Sequence, residues 1–180
     1  MIAIREELPT DVAAREALLD TCFGDARFEK TCERLREGRT PALSLVLEQD
    51  GRLIGTVRLW HVSAGPGRPA LMLGPIAIDC RLQRLGLGAK LMGEALARAK
   101  ALHHRAVLLV GDAPYYGRFG FSAAATGSLR LPGPYERERF LGLDLTPGAL
   151  AGARGLVCAT GERAARPDRV ARVERQALAA

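Results

Sequence analysis

Gly86 and Gly88 stand two residues apart in Gln83-Arg84-Leu85-Gly86-Leu87-Gly88-Ala89, after the apolar run Ile76-Ala77-Ile78 and ahead of a segment with helical periodicity. A turn that opens a helix in this way gathers several unpaired backbone N–H groups and the positive end of the helix dipole at one spot, which suits a phosphate. Spacing decides which phosphate ligand. A P-loop requires Gly-x-x-x-x-Gly-Lys-Ser/Thr, whereas here Lys90 follows Ala89 and Leu91 brings no hydroxyl for magnesium. The dinucleotide fingerprint Gly-x-Gly-x-x-Gly fails as well, since its third glycine would fall at Leu91, and no acidic residue ends a second strand at the required distance. What remains is Gln83-x-x-Gly86-x-Gly88-Ala89 placed after a strand.

A second segment, Val107 to Phe121, reads as a buried strand, a break at Gly111-Asp112-Ala113-Pro114, a short helical piece and a Gly-Phe pair, with Tyr116 four residues before Gly120. The two segments together, in this order, resemble the GNAT superfamily of N-acetyltransferases: the first its coenzyme A pyrophosphate loop, the second its tyrosine ahead of Gly-Phe. The resemblance implies an α/β fold with a mixed sheet whose central parallel strand pair is splayed. By position, it assigns the backbone of Ile76, Ala77 and Ile78 to the pantetheine amides, and Gln83, Arg84, Leu85, Gly86, Leu87, Gly88 and Ala89 to the pyrophosphate. It further implies transfer of an acetyl group from acetyl-coenzyme A to a primary amine, by direct attack in a ternary complex. Such a reaction needs no activated serine or cysteine.

Backbone N–H groups near Ile76 to Ile78 are then suited to stabilise the thioester oxygen. Tyr116, a phenol neutral at working pH, is the candidate donor of a proton to the leaving thiolate and a cofactor contact, with Tyr115 second in line. Glu48, Asp79, Asp112 and His61 are expected near strand ends that face the groove, and no spacing favours one as the base. The chain departs from the family where many members carry an asparagine shortly after the strand that ends at Val110. The acceptor is a small-molecule or peptide amine that the sequence does not specify, and a non-catalytic acyl-coenzyme A sensor is the rival reading.

The elements that must position these residues fit within 180 residues, about one domain. Nearly half the residues are hydrophobic, which excludes a disordered chain, and no apolar run approaches the roughly 20 residues needed to span a bilayer. Acids at Glu6 and Glu7 interrupt any secretory signal, so a cytoplasmic protein without membrane partners is expected. The net charge of +6 rests on arginine, with lysine only at positions 30, 90 and 100. No basic block is interleaved with aromatics, which disfavours nucleic acid. Cys22, Cys32, Cys80 and Cys158 are scattered and are expected to be buried free thiols rather than metal ligands or disulfides.

Alternation predicts a strand at Ile2 and Ile4, and periodicity predicts helices over about 12–22 and 26–36. Strands over 43–49 and 52–60 flank Asp50-Gly51, a strong hairpin signal. A strand over 70–79 is interrupted at Gly74-Pro75, since proline cannot donate to a ladder. A helix over about 85–102, a parallel strand over 106–110, a loop-rich stretch over 127–134 and strands near 139–145 and 155–159 complete an acetyltransferase domain over 1–160. The remainder, 161–180, reads as an arginine-rich helical tail with Arg163, Arg166, Arg169, Arg172 and Arg175 at every third position. A homodimer is compatible with the sequence and not specified by it.

Overall fold

The computed structural model describes residues 1–164. Strand β1 (Ile2–Glu6) lies antiparallel to β2 (Leu43–Gln49), and β2 turns directly into β3 (Arg52–Ala64). Asp50 and Gly51, at φ 49° and 80°, carry the two left-handed positions that such a two-residue turn needs. β3 then pairs antiparallel with β4 (Pro69–Ile78). The chain crosses over through helix α3 (Leu87–Ala101) to β5 (Ala106–Val110), which runs parallel to β4. After the short helix α4 (Ala113–Gly117), β6 (Ser128–Arg130) pairs with the last strand, β8 (Arg154–Ala159). β7 (Phe140–Asp144) lies antiparallel on β5, and β8 also pairs with the end of β3. The strand order β1-β2-β3-β4-β5-β7 makes a mixed α/β sheet, as expected.

Alternation along the strands divides the core between two faces. On one, Leu45, Leu59, Leu71 and Val107 pack against Leu91, Met92, Ala95 and Ala99 of α3. On the other, Met72, Leu108, Phe140 and Val157 pack with Leu35 of helix α2 (Glu33–Arg36). Helix α1 (Val12–Phe23) also serves this second face: its buried Arg15 bonds Glu7, which Arg58 of β3 also reaches.

The expected helix over 26–36 is not continuous. A 3-10 turn at Asp25–Phe28 and the single turn of α2 replace it. Arg27 folds back onto Glu16 and Asp20 of α1, and the Thr31 hydroxyl donates to the distant Pro134 carbonyl, so tertiary bonds claim the residues that a helix would have used. The expected loop over 127–134 contains β6, and β3 runs four residues past Trp60. Residues 161–164 run alongside Gly38–Thr40, with Thr40 and Ala164 donating to the Glu162 and Gly38 carbonyls. The rest of the expected arginine-rich tail, from 165 onward, lies outside the described residues. Among the described residues, no helix is long and apolar enough to cross a membrane. Cys22 and Cys32 are half-buried, while Cys80 and Cys158 are exposed, so the expectation of four buried thiols fails for the latter two.

Candidate active site

β4 and β5 share ladder pairs at Leu71 with Val107 and at Met72 with Leu108. Beyond these, no ladder pair joins the two strands among the described residues. β4 instead continues alone on that side through Ile76, Ala77 and Ile78, held from behind by Val57, Thr56 and Gly55 of β3. The divergence begins at Gly74, whose φ of 132° favours glycine, and at Pro75, which has no N–H to offer. β4 bulges there: between the Val57–Ile76 and Leu59–Leu73 pairs, Gly74 and Pro75 stand opposite the single residue Arg58 of β3. The Trp60 indole N–H donates to the Gly74 carbonyl at 2.6 Å, so that carbonyl is satisfied by a side chain of β3.

At the end of β4 the Asp79 carboxylate accepts from the Arg81 backbone N–H and guanidinium and from Arg52, which fixes the corner leading into the glycine turn. Those bonds, with Arg81 dominant, hold the Asp79 carboxyl down to about 2. Arg84 and Gly86 both adopt positive φ, at 68° and 76°, and Gly86 caps α3. The first i to i−4 bond of α3 runs from Lys90 N–H to the Gly86 carbonyl, which leaves the amides of Leu87, Gly88 and Ala89 ahead of it without a partner inside the helix. Gln83, Arg84, Leu85 and Gly86 are exposed around them. The helix begins two residues later than periodicity indicated, because the left-handed residues occupy the turn.

Tyr116 rises from α4, which Asp112 caps by accepting the Tyr115 N–H at 3.1 Å. Its ring lies against Gly111, where even a Cβ would come within 2.7 Å of Cδ2, and edge-on to Phe121 at 6.2 Å. Burial, reinforced by the neighbouring Tyr115, pushes the Tyr116 phenol above its usual value. The two tyrosine rings meet edge to face at 4.9 Å, and the Tyr115 hydroxyl reaches to 3.3 Å from where a Cβ on Gly88 would sit. One tyrosine hydroxyl is thereby placed at the helix mouth, while the other ring is seated at the end of β5.

Of the four groups expected along the groove, Asp79 is committed to two arginines, Glu48 to Arg5, and Asp112 to the α4 cap. His61 lies elsewhere: it pairs with Leu71 toward the other end of the sheet and faces His104 at 5.3 Å. β3 is longer than alternation suggested, so His61 sits in its interior rather than at its end. The fork side chains Trp60, Arg58 and Arg36 carried no motif in the sequence, and Trp60 stands out there only as the single tryptophan.

The Acetyltransferase (GNAT) family profile matches residues 12–121. The N-acetyltransferase YhbS of Escherichia coli strain K12, itself uncharacterised, is 34% identical over 156 residues, covering 86% of this chain and 93% of that protein. A crystal structure of Escherichia coli YhbS in complex with CoA superimposes with a TM-score of 0.76 at 33% identity, over 88% of this chain and 89% of that one. A GNAT family acetyltransferase from Brucella melitensis, in complex with acetyl-CoA, gives 0.65 at 28% identity, over 89% and 96%. The chain belongs to the GNAT acetyltransferase family, and its forked parallel pair is that fold's central feature.

Proposed function

We propose that this chain transfers the acetyl group of acetyl-CoA to a primary amine by direct attack in a ternary complex. The observation that carries the reading is the junction of an unpaired stretch of β4 with the unsatisfied amides of α3. One holds an extended amide-bearing arm, and the other holds its diphosphate. The cradle also fits by its chemistry: Gly86 holds a positive φ that side chains rarely adopt, with open space around it, and at Gly88 a Cβ would stand 3.3 Å from the Tyr115 hydroxyl. The complexes of the two relatives with CoA and acetyl-CoA support the same assignment.

Bound there, acetyl-CoA supplies an activated acyl thioester. The backbone of Ile76, Ala77 and Ile78 aligns its arm, and N–H groups of that stretch stabilise the carbonyl oxygen as it gains charge. Gln83, Arg84, Leu85, Gly86, Leu87, Gly88 and Ala89 hold the diphosphate. Tyr116 delivers a proton to the departing sulfur, and its raised pKa keeps that proton available across the neutral range. Tyr115 is the second candidate, favoured by its hydroxyl lying beside Gly88.

The test combines calorimetry with thiol release from acetyl-CoA over an amine library. Gly88→Asp places a carboxylate against the cradle and is expected to abolish CoA binding. Tyr116→Phe is expected to keep CoA affinity while lowering kcat roughly 100-fold, the scale of general acid catalysis. Normal CoA affinity in Gly88→Asp defeats the cradle. Unchanged kcat in Tyr116→Phe, with a fall in Tyr115→Phe, moves the proton to Tyr115, and the absence of turnover with every amine favours a sensor.

A further inference from the structure

On the face of the sheet away from α3, three side chains reach the point where β4 leaves β5, and two of them are spoken for. Trp60 gives its only N–H to the Gly74 carbonyl. Arg58 lies 5.3 Å from the Trp60 ring centroid and bonds Glu7 and Ser44. Arg36 of α2 is different. Its side chain is only 12% exposed, its Nε is fixed to Glu33 at 2.6 Å, and its Nη1 stands 3.8 Å from where a Cβ would sit on Gly74. Among the described residues, neither Nη atom of Arg36 has a hydrogen-bond acceptor. A guanidinium carries five N–H donors in a planar fork, and with Nε held by Glu33 the two Nη groups, which keep contact with solvent, are open to an incoming acceptor. Its end-on Nη edge opens on the fork.

We propose that Arg36 is the residue that selects the acceptor: it receives a carboxylate, and the acceptor is a small amino acid with that carboxylate a short spacer from the attacking amine. This deepens the acetyl-transfer reading and rests on it. A single planar guanidinium edge matches a carboxylate in two parallel bonds. Glu33 already offsets part of the charge, which suits a monoanion better than a phosphate. Gly74 precedes Ile76 by two residues, a reach of at most about 7 Å, so amine and anion must be close together. A protein lysine has no carboxylate near its ε-amine and fits this arrangement poorly.

The matched probes are glycine, β-alanine and γ-aminobutyrate, their carboxamides, and putrescine, tested for thiol release with the full chain and with Arg36→Gln and Arg36→Lys. At least one amino acid is expected to exceed its carboxamide roughly tenfold or more in kcat/KM, the scale of a charge-assisted bidentate pair. Arg36→Gln is expected to remove that preference through the acceptor KM with the acetyl-CoA KM unchanged, and Arg36→Lys to restore part of it. Carboxamides or putrescine matching the acids, a preference that survives Arg36→Gln, or a change confined to kcat overturns the assignment. Binding is read independently by Trp60 fluorescence, titrating the same acids with and without CoA. A saturable response lost in Arg36→Gln is expected, and silence toward every acid is a second refutation. Calorimetry with CoA alone separates the two ideas, since loss of CoA binding defeats acetyl transfer itself.

Discussion

Gly111 shows how one residue can set another's position. Its N–H donates to the Arg139 carbonyl at 2.8 Å, its missing side chain makes room for the Tyr116 ring, and Asp112 beside it caps the helix that carries that ring. The Gly-Asp-Ala-Pro stretch that replaces the family's asparagine is thus a seat for the tyrosine. In Gly111→Ala the new Cβ would overlap the ring and stand 3.2 Å from Leu109 Cδ1, so the ring has to shift. The expected result is a loss of about 1–3 kcal/mol by urea unfolding. A roughly ten- to hundred-fold fall in kcat should accompany it, while CoA affinity is kept. The glycine turn that opens α3 and the short helix carrying Tyr116 were legible in the sequence because both rest on local spacing. The placement of Arg36 and Trp60 was not, because both meet Gly74, which lies 38 and 14 positions away along the chain.

Among the elements, the corner between β4 and α3 is held electrostatically. Asp79 gathers Arg81 and Arg52, and its pKa near 2 lies below that of a free carboxyl, about 3.9. A folded-state pKa lowered in this way adds stability that is fully present above the unfolded value and is lost as pH falls through the folded one. Asp79→Asn should therefore melt below the parent at pH 7, and the gap should close between about pH 4 and 2, as thermal unfolding at several pH values would show. A gap that stays constant with pH would mean the effect is steric. The sequence marked this corner through Gly74-Pro75 and the glycine turn. The bulge in β4 falls at that Gly74-Pro75 pair, opposite Arg58, where proline's missing N–H had marked an interruption. The segment over 26–36, by contrast, misled: its charges have helical spacing, yet Arg27 and Thr31 are bound to distant partners.

At the scale of the molecule, α1 and the start of the chain are joined to the sheet by buried ions rather than by apolar packing alone. Glu7, with a side chain 6% exposed, accepts from Arg15, Arg58 and Ser44, and Glu16 and Asp20 compensate Arg27 alongside. Burial lowers the pKa of Arg58, and Arg15 adds to this, while Glu7 opposes the loss of charge. Removing Glu7 leaves two largely buried guanidinium groups short of their carboxylate. Glu7→Ala is expected to cost about 3–5 kcal/mol in denaturant unfolding, well beyond a surface ion pair. A loss below about 1 kcal/mol would show that water screens the cluster. Class and strand order were readable from periodicity and turns, whereas this ionic layer was not, since its members are drawn from the residue just after β1, from α1, from β2 and from β3.

The brief contact between β4 and β5 also bears on how copies of the chain can meet. Past Met72 and Leu108 no ladder pair joins the two strands among the described residues, which amounts to a raw sheet margin inside the molecule rather than at its rim, softened where Trp60 takes the Gly74 carbonyl and Pro75 brings no N–H. An extended peptide, including a segment of a neighbouring copy, could lodge there as a surrogate rung. Filling the gap with ligand would then protect concentrated samples from self-association as well as prepare them for chemistry.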